Sequence, residues 1–289
     1  MARLARPLIG TALLLLVALG LTACGGGGTS DGADGGGGGD DKAQGLSAQQ
    51  LLDQSSAAAQ ALTSFRVALT ATGQIDLPQS AGGGVGQLVR GPLDIEAEGP
   101  VAPPDKASLD AKIGLSGLPL QGNITRVGED VYLGFLGQDF KVDLPPEQVA
   151  LLNLGSLYPT LVEWAKDPAI AGDEEIDGAP TVKVTAQLDP AAALTSLAPV
   201  LGAEGVTPAK ARAALRTGRF EAWIGTSDLR PRRVHVVLDA NGAGLQQGLG
   251  DVALDLTVNL SAFDEPVDIT APADARPLDL NNIGSLIGG

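Results

Sequence analysis

The sequence predicts an α+β domain built on a single strongly curved antiparallel β-sheet, a half-barrel, with short helices on its concave face enclosing an apolar cavity. Three observations lead there. Apolar residues alternate with charged or threonine residues in segment after segment from Phe65 to Leu260, the pattern of an antiparallel sheet with one wet side. A few short Ala- and Leu-rich helical stretches interrupt these segments, and they are the only material available to cover the dry face. The chain is 44% hydrophobic but 3% aromatic, with five Phe, two Trp and two Tyr. Such a core is either close-packed from Ala, Val, Leu and Gly or leaves room for a ligand.

The elements follow in order. Arg3 and Arg6 precede an apolar run from Leu8 to Leu21 that is broken only by Gly10, Thr11 and Gly20. A basic start, a short apolar core and a small-residue cleavage site make a secretory leader. The run is short for a bilayer core of about 30 Å, which takes roughly 20 residues. Leu21-Thr22-Ala23-Cys24 resembles a bacterial lipobox, and Cys24 is the one cysteine of the chain. That resemblance implies removal of residues 1–23 and acylation of Cys24. Residues 24–45 are then the lipidated cysteine and a Gly/Asp-rich linker, too polar to offset the entropy of ordering.

Residues 46–276 are expected to form the domain. Ser47-Ala48-Gln49-Gln50 is a capping box, and Leu51, Ser55, Ala58, Ala59 and Leu62 continue at helical spacing. From Phe65 the period becomes two, through Val67, Leu69 and Ala71. Leu93, Ile95 and Ala97 repeat it, as do Leu109, Ala111, Ile113 and Leu115. Gly128-Glu129-Asp130 joins 122–127 to Val131, Leu133 and Phe135 as a hairpin. Short helices are expected at Pro146–Leu152 and Pro159–Lys166. Val182, Val184, Ala186 and Leu188 form a further strand after an acidic loop at Asp173-Glu174-Glu175 and Asp177. Asp189-Pro190 and Thr207-Pro208 each open a helix by an N-cap followed by Pro, with Gly202 and Gly218 as the stops. Strands over Phe220–Ile224, Val234–Leu238 and Val252–Leu260 complete the sheet. The segment Ala81–Gly86 and a tail over 277–289 read as mobile.

Charge excludes one class of partner. The net charge is −15, and loss of the leader removes two cations, so the surface repels nucleic acid. A single cysteine leaves no intramolecular disulfide. Catalytic constellations are not apparent. The one histidine, His235, lies on the charged face of a strand. Gly114-Leu115-Ser116-Gly117 falls short of a nucleophile elbow and reads as a turn. Asp94, Glu96 and Glu98 share a strand face that reads as charged outer surface. Ca²⁺ ligation at Asp173–Asp177 lacks EF-hand spacing, and no motif calls for a metal or cofactor. The chain is therefore expected not to be an enzyme.

Several phrases in sequence order resemble the LppX/LprG-type lipoproteins of mycobacteria and relatives. They are Ser64-Phe65-Arg66-Val67, Gly128-Glu129-Asp130-Val131-Tyr132-Leu133, Ala222-Trp223-Ile224-Gly225 with Asp228-Leu229-Arg230-Pro231-Arg232, and the ending Phe263-Asp264-Glu265-Pro266-Val267-Asp268-Ile269. The resemblance covers about residues 46–275. It implies a LolA/LolB-like fold that holds long-chain or multiply acylated lipids or glycolipids between sheet and helices and helps carry them across the envelope. It also implies attachment to the cytoplasmic membrane through acylated Cys24, on the extracytoplasmic face, with a membrane lipid exporter as a candidate partner. The long linker, the insert at Ala81–Gly86 and the segment Gly202–Gly218 depart from the family. The residues expected to line the cavity are Val67, Leu69, Ile95, Leu109, Ile113, Ile124, Val131, Leu133, Phe135, Leu161, Val184, Leu254 and Leu256. The alternative is a structural or sensory lipoprotein that grips a partner protein through an exposed apolar patch.

Overall fold

The computed structural model describes residues 41–76, 90–115, 118–135, 137–144, 149, 152–197, 205–245 and 249–278. The expected leader, Cys24, most of the expected linker, Ala81–Gly86, Gly202 and residues 279–289 lie outside them, as does most of the helix expected at Pro146–Leu152.

The first element, α1 (Ala48–Gln60), opens on the expected capping box. The Ser47 hydroxyl accepts from the Gln50 backbone N–H, and the Gln50 side chain accepts from the Ser47 backbone N–H. Two donors that a helix start would otherwise leave unpaired are thereby satisfied. Leu51, Leu52, Ser55 and Ala59 form the buried stripe.

Twelve strands follow: β1 (Phe65–Asp76), β2 (Arg90–Ala102), β3 (Lys106–Leu115), β4 (Leu118–Val127), β5 (Asp130–Phe135), β6 (Gln138–Val142), β7 (Ala165–Ile176), β8 (Ala179–Leu188), β9 (Leu215–Gly225), β10 (Pro231–Ala240), β11 (Val252–Ser261) and β12 (Arg276–Leu278). They make one curled, open sheet in the order β12-β6-β5-β4-β3-β2-β1-β11-β10-β9-β8-β7. All neighbours are antiparallel except β12 and β6. A half-barrel of this kind is the architecture that the alternating segments require. Between the strands lie a 3₁₀ turn (Leu154–Ser156), α2 (Leu157–Val162), α3 (Pro190–Leu197), α4 (Pro208–Ala214) and α5 (Gly242–Leu245). Among the described residues no helix is long and apolar enough to cross a membrane.

Period two puts one set of residues from every strand on the inner face. The register runs without a break from Val184 through Ala222, Val234, Val258 and Leu69 to Ala97, Ala111 and Gly122. Beside it Ala186, Phe220, Val236, Leu256, Ala71, Ile95 and Ile113 form the next row. The main core gathers the inner residues of β8–β11 and β1 against α1–α5. Inside it the Tyr158 hydroxyl of α2 and the Ser55 hydroxyl of α1 form a 2.8 Å hydrogen bond, and burial pushes the Tyr158 phenol well above its ordinary pKa. Tyr158→Phe leaves a buried Ser55 hydroxyl without this partner, so a loss of about 1–3 kcal/mol is expected. Urea unfolding of Ser55→Ala, Tyr158→Phe and the double variant tests this. The double variant should lose clearly less than the sum of the singles.

Four expectations are corrected. The helix expected to run to Lys166 ends at Val162, because Ala165 and Lys166 already pair with Leu188 and Gln187 as the start of β7. The acidic loop is a strand for most of its length: Asp173-Glu174-Glu175 belongs to β7, and only Asp177 sits in the turn to β8. The helix opened by Thr207-Pro208 stops at Ala214, where Leu215 becomes extended and begins β9. Gly218 is therefore a strand residue, and a Cβ there would come within 2.6 Å of the Leu188 Cβ. Finally, Pro277 and Leu278 belong not to a tail but to β12, where Leu278 is buried with Phe140 and Val142.

Candidate functional site

The apolar inner face does not end where the helices end. Beyond β1 it continues over β2–β6, and a second, smaller core of Phe140, Val142 and Leu278 closes the far edge. Leu69, Ile95, Leu109 and Leu254 are half-buried against the main core. Leu133 and Phe135 are half-buried against the small one, with the Phe135 and Phe140 rings stacked at 4.7 Å. Between the two cores Ile113 and Ile124 are half-buried and belong to neither. Among the described residues this apolar surface, or floor, is continuous in register but not in packing.

Side-chain size gives that floor relief. Gly122, Ala111 and Ala97 are aligned across β4, β3 and β2. On one side of them stand Ile124 and Leu109, on the other Ile113 and Ile95. Rows on one face of a strand are roughly 7 Å apart, so the small residues set a shallow trough across the strands between two bulkier walls.

All twelve strand residues expected to line a cavity point to the inner face by register, but they divide into two groups. Leu69, Ile95, Leu109, Ile113, Ile124, Leu133, Phe135 and Leu254 are half-buried floor residues. Val67, Val184 and Leu256, with Leu161 of α2, are buried in the main core, and Val131 of β5 is buried outside it. The helix cover accounts for the residues of the main core, since it reaches one part of the sheet and not the other. Leu93, half-buried beside Gly73, is a floor residue that the expectation omitted.

The charged residues face the other way. Asp94, Glu96 and Glu98 are exposed on the outer face. His235 also lies there, its Nδ1 3.3 Å from Glu221 and its Nε2 2.9 Å from Asp255. The Trp223 indole donates to Glu174 at 2.6 Å, and the Lys183 ammonium sits 4.5 Å from the ring centre. That indole bond, with Lys183 close by, holds the Glu174 carboxyl below its ordinary pKa. Among the described residues no group of His, Cys, Asp and Glu is placed to hold a metal ion.

Two phrases that carry the family resemblance meet in space, away from the floor. The Arg230 and Arg232 guanidiniums lie 5.4 and 4.6 Å from the Phe263 ring centre. Arg230 pairs with Asp264, and Arg232 pairs with Asp228 at 2.6 Å. Asp264 also accepts from the Thr63 backbone N–H and hydroxyl, and these bonds, with Arg230 beside them, keep its carboxyl below the ordinary value. The cluster clasps the β9–β10 turn, the end of β11 and the α1–β1 link. Its role is to join chain segments, not to face a ligand.

At the β7 edge, the lead-in to α1 borders a depression of about 600 Å³. Leu46, Leu51, Ile170 and Val182 line it, with Asp41, Asp173 and Glu175 around them. Ile170 is 51% exposed there.

No family model matches the chain, and no curated protein matches it. Solved structures do. A LolA superfamily protein from Nitrosomonas europaea is similar at 10% identity and a TM-score of 0.25, over 78% of this chain and 96% of that one. LppX from Mycobacterium tuberculosis is similar at 17% identity and a TM-score of 0.47, over 77% and 97%. LprF from Mycobacterium bovis is similar at 20% identity and a TM-score of 0.49, over 78% and 97%. LprF and LppX are lipoproteins of the group that the sequence resembles.

Proposed function

We propose that this protein is an extracytoplasmic lipoprotein, anchored to the cell membrane through acylated Cys24, that binds acylated lipids or glycolipids on its inner face and helps carry them across the envelope. One observation carries the reading: Ile113 and Ile124 lie half-buried between two separate cores on one continuous apolar face. Each buried CH₂ contributes roughly 0.8 kcal/mol, so a long chain laid on Leu109, Ile113, Ile124 and Leu133 gains affinity without any polar contact. A floor of this kind selects by length and volume, and chemical selectivity falls to the few polar groups at its margin.

The test is mass spectrometry of organic extracts from purified, non-acylated protein. Wild-type floor residues should yield co-purifying lipid. Ile113→Trp should remove most of it from a protein that remains folded, because Trp occupies the open span between the cores. Val131→Trp is a poor test of the same idea. Val131 is 1% exposed, and overpacking there is expected to destabilise by about 1–3 kcal/mol. Wild-type lipid content in folded Ile113→Trp would count against the floor as the binding surface.

A second reading, a structural or sensory lipoprotein that grips a partner protein, is favoured by the exposed Ile170 beside the acidic rim of the β7 depression. Protein without bound lipid, whose partner capture is lost in Ile170→Lys, would favour it.

A further inference from the structure

The inner face of β1–β6 is almost free of charge, although the chain carries 34 acidic and 19 basic residues. On these strands Arg66, Asp94, Glu96, Glu98, Asp110, Lys112, Asp130, Asp139 and Lys141 all alternate to the outer face. Among the described side chains of β1–β6, Arg126 of β4 is the one charged group on the inner face. It stands in register between Ala107 and Val131, which are 6% and 1% exposed. One row further along β4 is Ile124, where the open span of the floor begins.

Arg126 is half-buried. Its Nε donates to the Gly128 carbonyl at 3.0 Å, which draws the guanidinium toward the end of the sheet made by the β2–β3 and β4–β5 turns. Among the described residues its other N–H groups have no carboxylate or other hydrogen-bond partner. Taking a cation partly out of water without a counter-charge is unfavourable. The fork left free on its terminal nitrogens matches the oxygens of a phosphate. Among the described residues the inner face of β1–β6 offers no competing carboxylate, the nearest acidic positions at this end being Asp105 and Glu129 in the two turns. An amphiphile with its chains over Ile124, Leu109 and Ile113 would place its head at that end.

Building on the lipid-binding function proposed above, we infer that the ligand is an anionic lipid, and that Arg126 binds the phosphate of its headgroup. The guanidinium supplies the charge recognition that the apolar floor cannot, and the fixed separation of Arg126 from Ile113 orients the chains. Arg276 of β12 lies at the outer margin, already donating to Gln138 at 3.3 Å. It is exposed, so a phosphate there would remain in water and gain little.

The experiment offers phosphatidylglycerol and diacylglycerol, which has no phosphate, with identical chains, in detergent, to the purified non-acylated chain, and reads bound lipid by native mass spectrometry. Phosphatidylglycerol should bind about tenfold more tightly, the scale of one charge-assisted hydrogen-bonded pair. Arg126→Gln should bring the ratio close to one through loss of phosphatidylglycerol binding, in a protein whose melting temperature is unchanged. If Arg126→Gln does not fold, Arg126→Met, with an apolar stem of similar reach, carries the same comparison. Equal binding of the two lipids by the unsubstituted chain overturns the inference and leaves the lipid-binding function standing. So does a ratio that survives at position 126, or one lost in Arg276→Gln instead. Binding of neither lipid overturns both.

Discussion

Cys24→Ser is expected to move the protein from the membrane to the soluble or secreted fraction almost completely. This outcome rests on the proposed anchor. Two or three acyl chains on one residue give stable attachment, whereas a single chain gives marginal, reversible binding. The rest of the mature chain offers little to replace them. Its net charge is strongly negative, which opposes adsorption to anionic lipid, and the described part has no membrane-spanning helix. Fractionation after a high-salt wash gives the result. Cys24→Ser protein that still sediments with membranes would show that something other than the thiol holds it.

Phe220→Ala is expected to cost about 3–5 kcal/mol, the range for removing a buried aromatic ring. Phe220 is 0% exposed and lies in register between Ala186 and Val236. The cluster it belongs to includes many small side chains, Ala193, Ala211, Ala214 and Ala222 among them. Where so few aromatic residues fill so large a core, the surroundings have little reach to close the space left behind. Such a loss is a large share of the roughly 5–15 kcal/mol that stabilises a typical domain. Urea denaturation with a common slope measures it, and a loss below about 1 kcal/mol would show that the core collapses freely around the site.

Much of the sheet was legible because each inner strand carries its own signature. Val67 and Leu69, Leu109 and Ile113, and Val234 and Val236 each alternate with polar neighbours, since one face of their strands is dry and the other wet. β7 gave no such signal. It is an edge strand with bulges and mostly exposed residues, so nothing demands alternation, and Asp173-Glu174-Glu175 reads as a loop. β6 has only Phe140 and Val142 buried, too little to stand out. The inner face was therefore readable residue by residue, while its division into packed core and open floor was not. Val184 and Ile113 look alike in sequence, and only the position of the helices decides that one is sealed and the other half-open. Arg126 left a trace that parity alone could have caught, as a cation in step with Ile124.

The placing of β1 bears on when this protein can fold. It pairs with β2, which follows it closely, and with β11, whose first residue is Val252. The sheet is therefore zipped through its middle by two segments from nearly opposite ends of the domain. Closing so long an intervening loop carries an entropic penalty that pairing repays only late. Until Val252–Ser261 has emerged, β1–β6 remain a fragment without the strand that joins them to the helix-covered half. For a chain exported as proposed above, this delay would be useful. The polypeptide would stay extended and translocation-competent for most of its synthesis, and the proposed lipid-binding surface would be completed only on the far side.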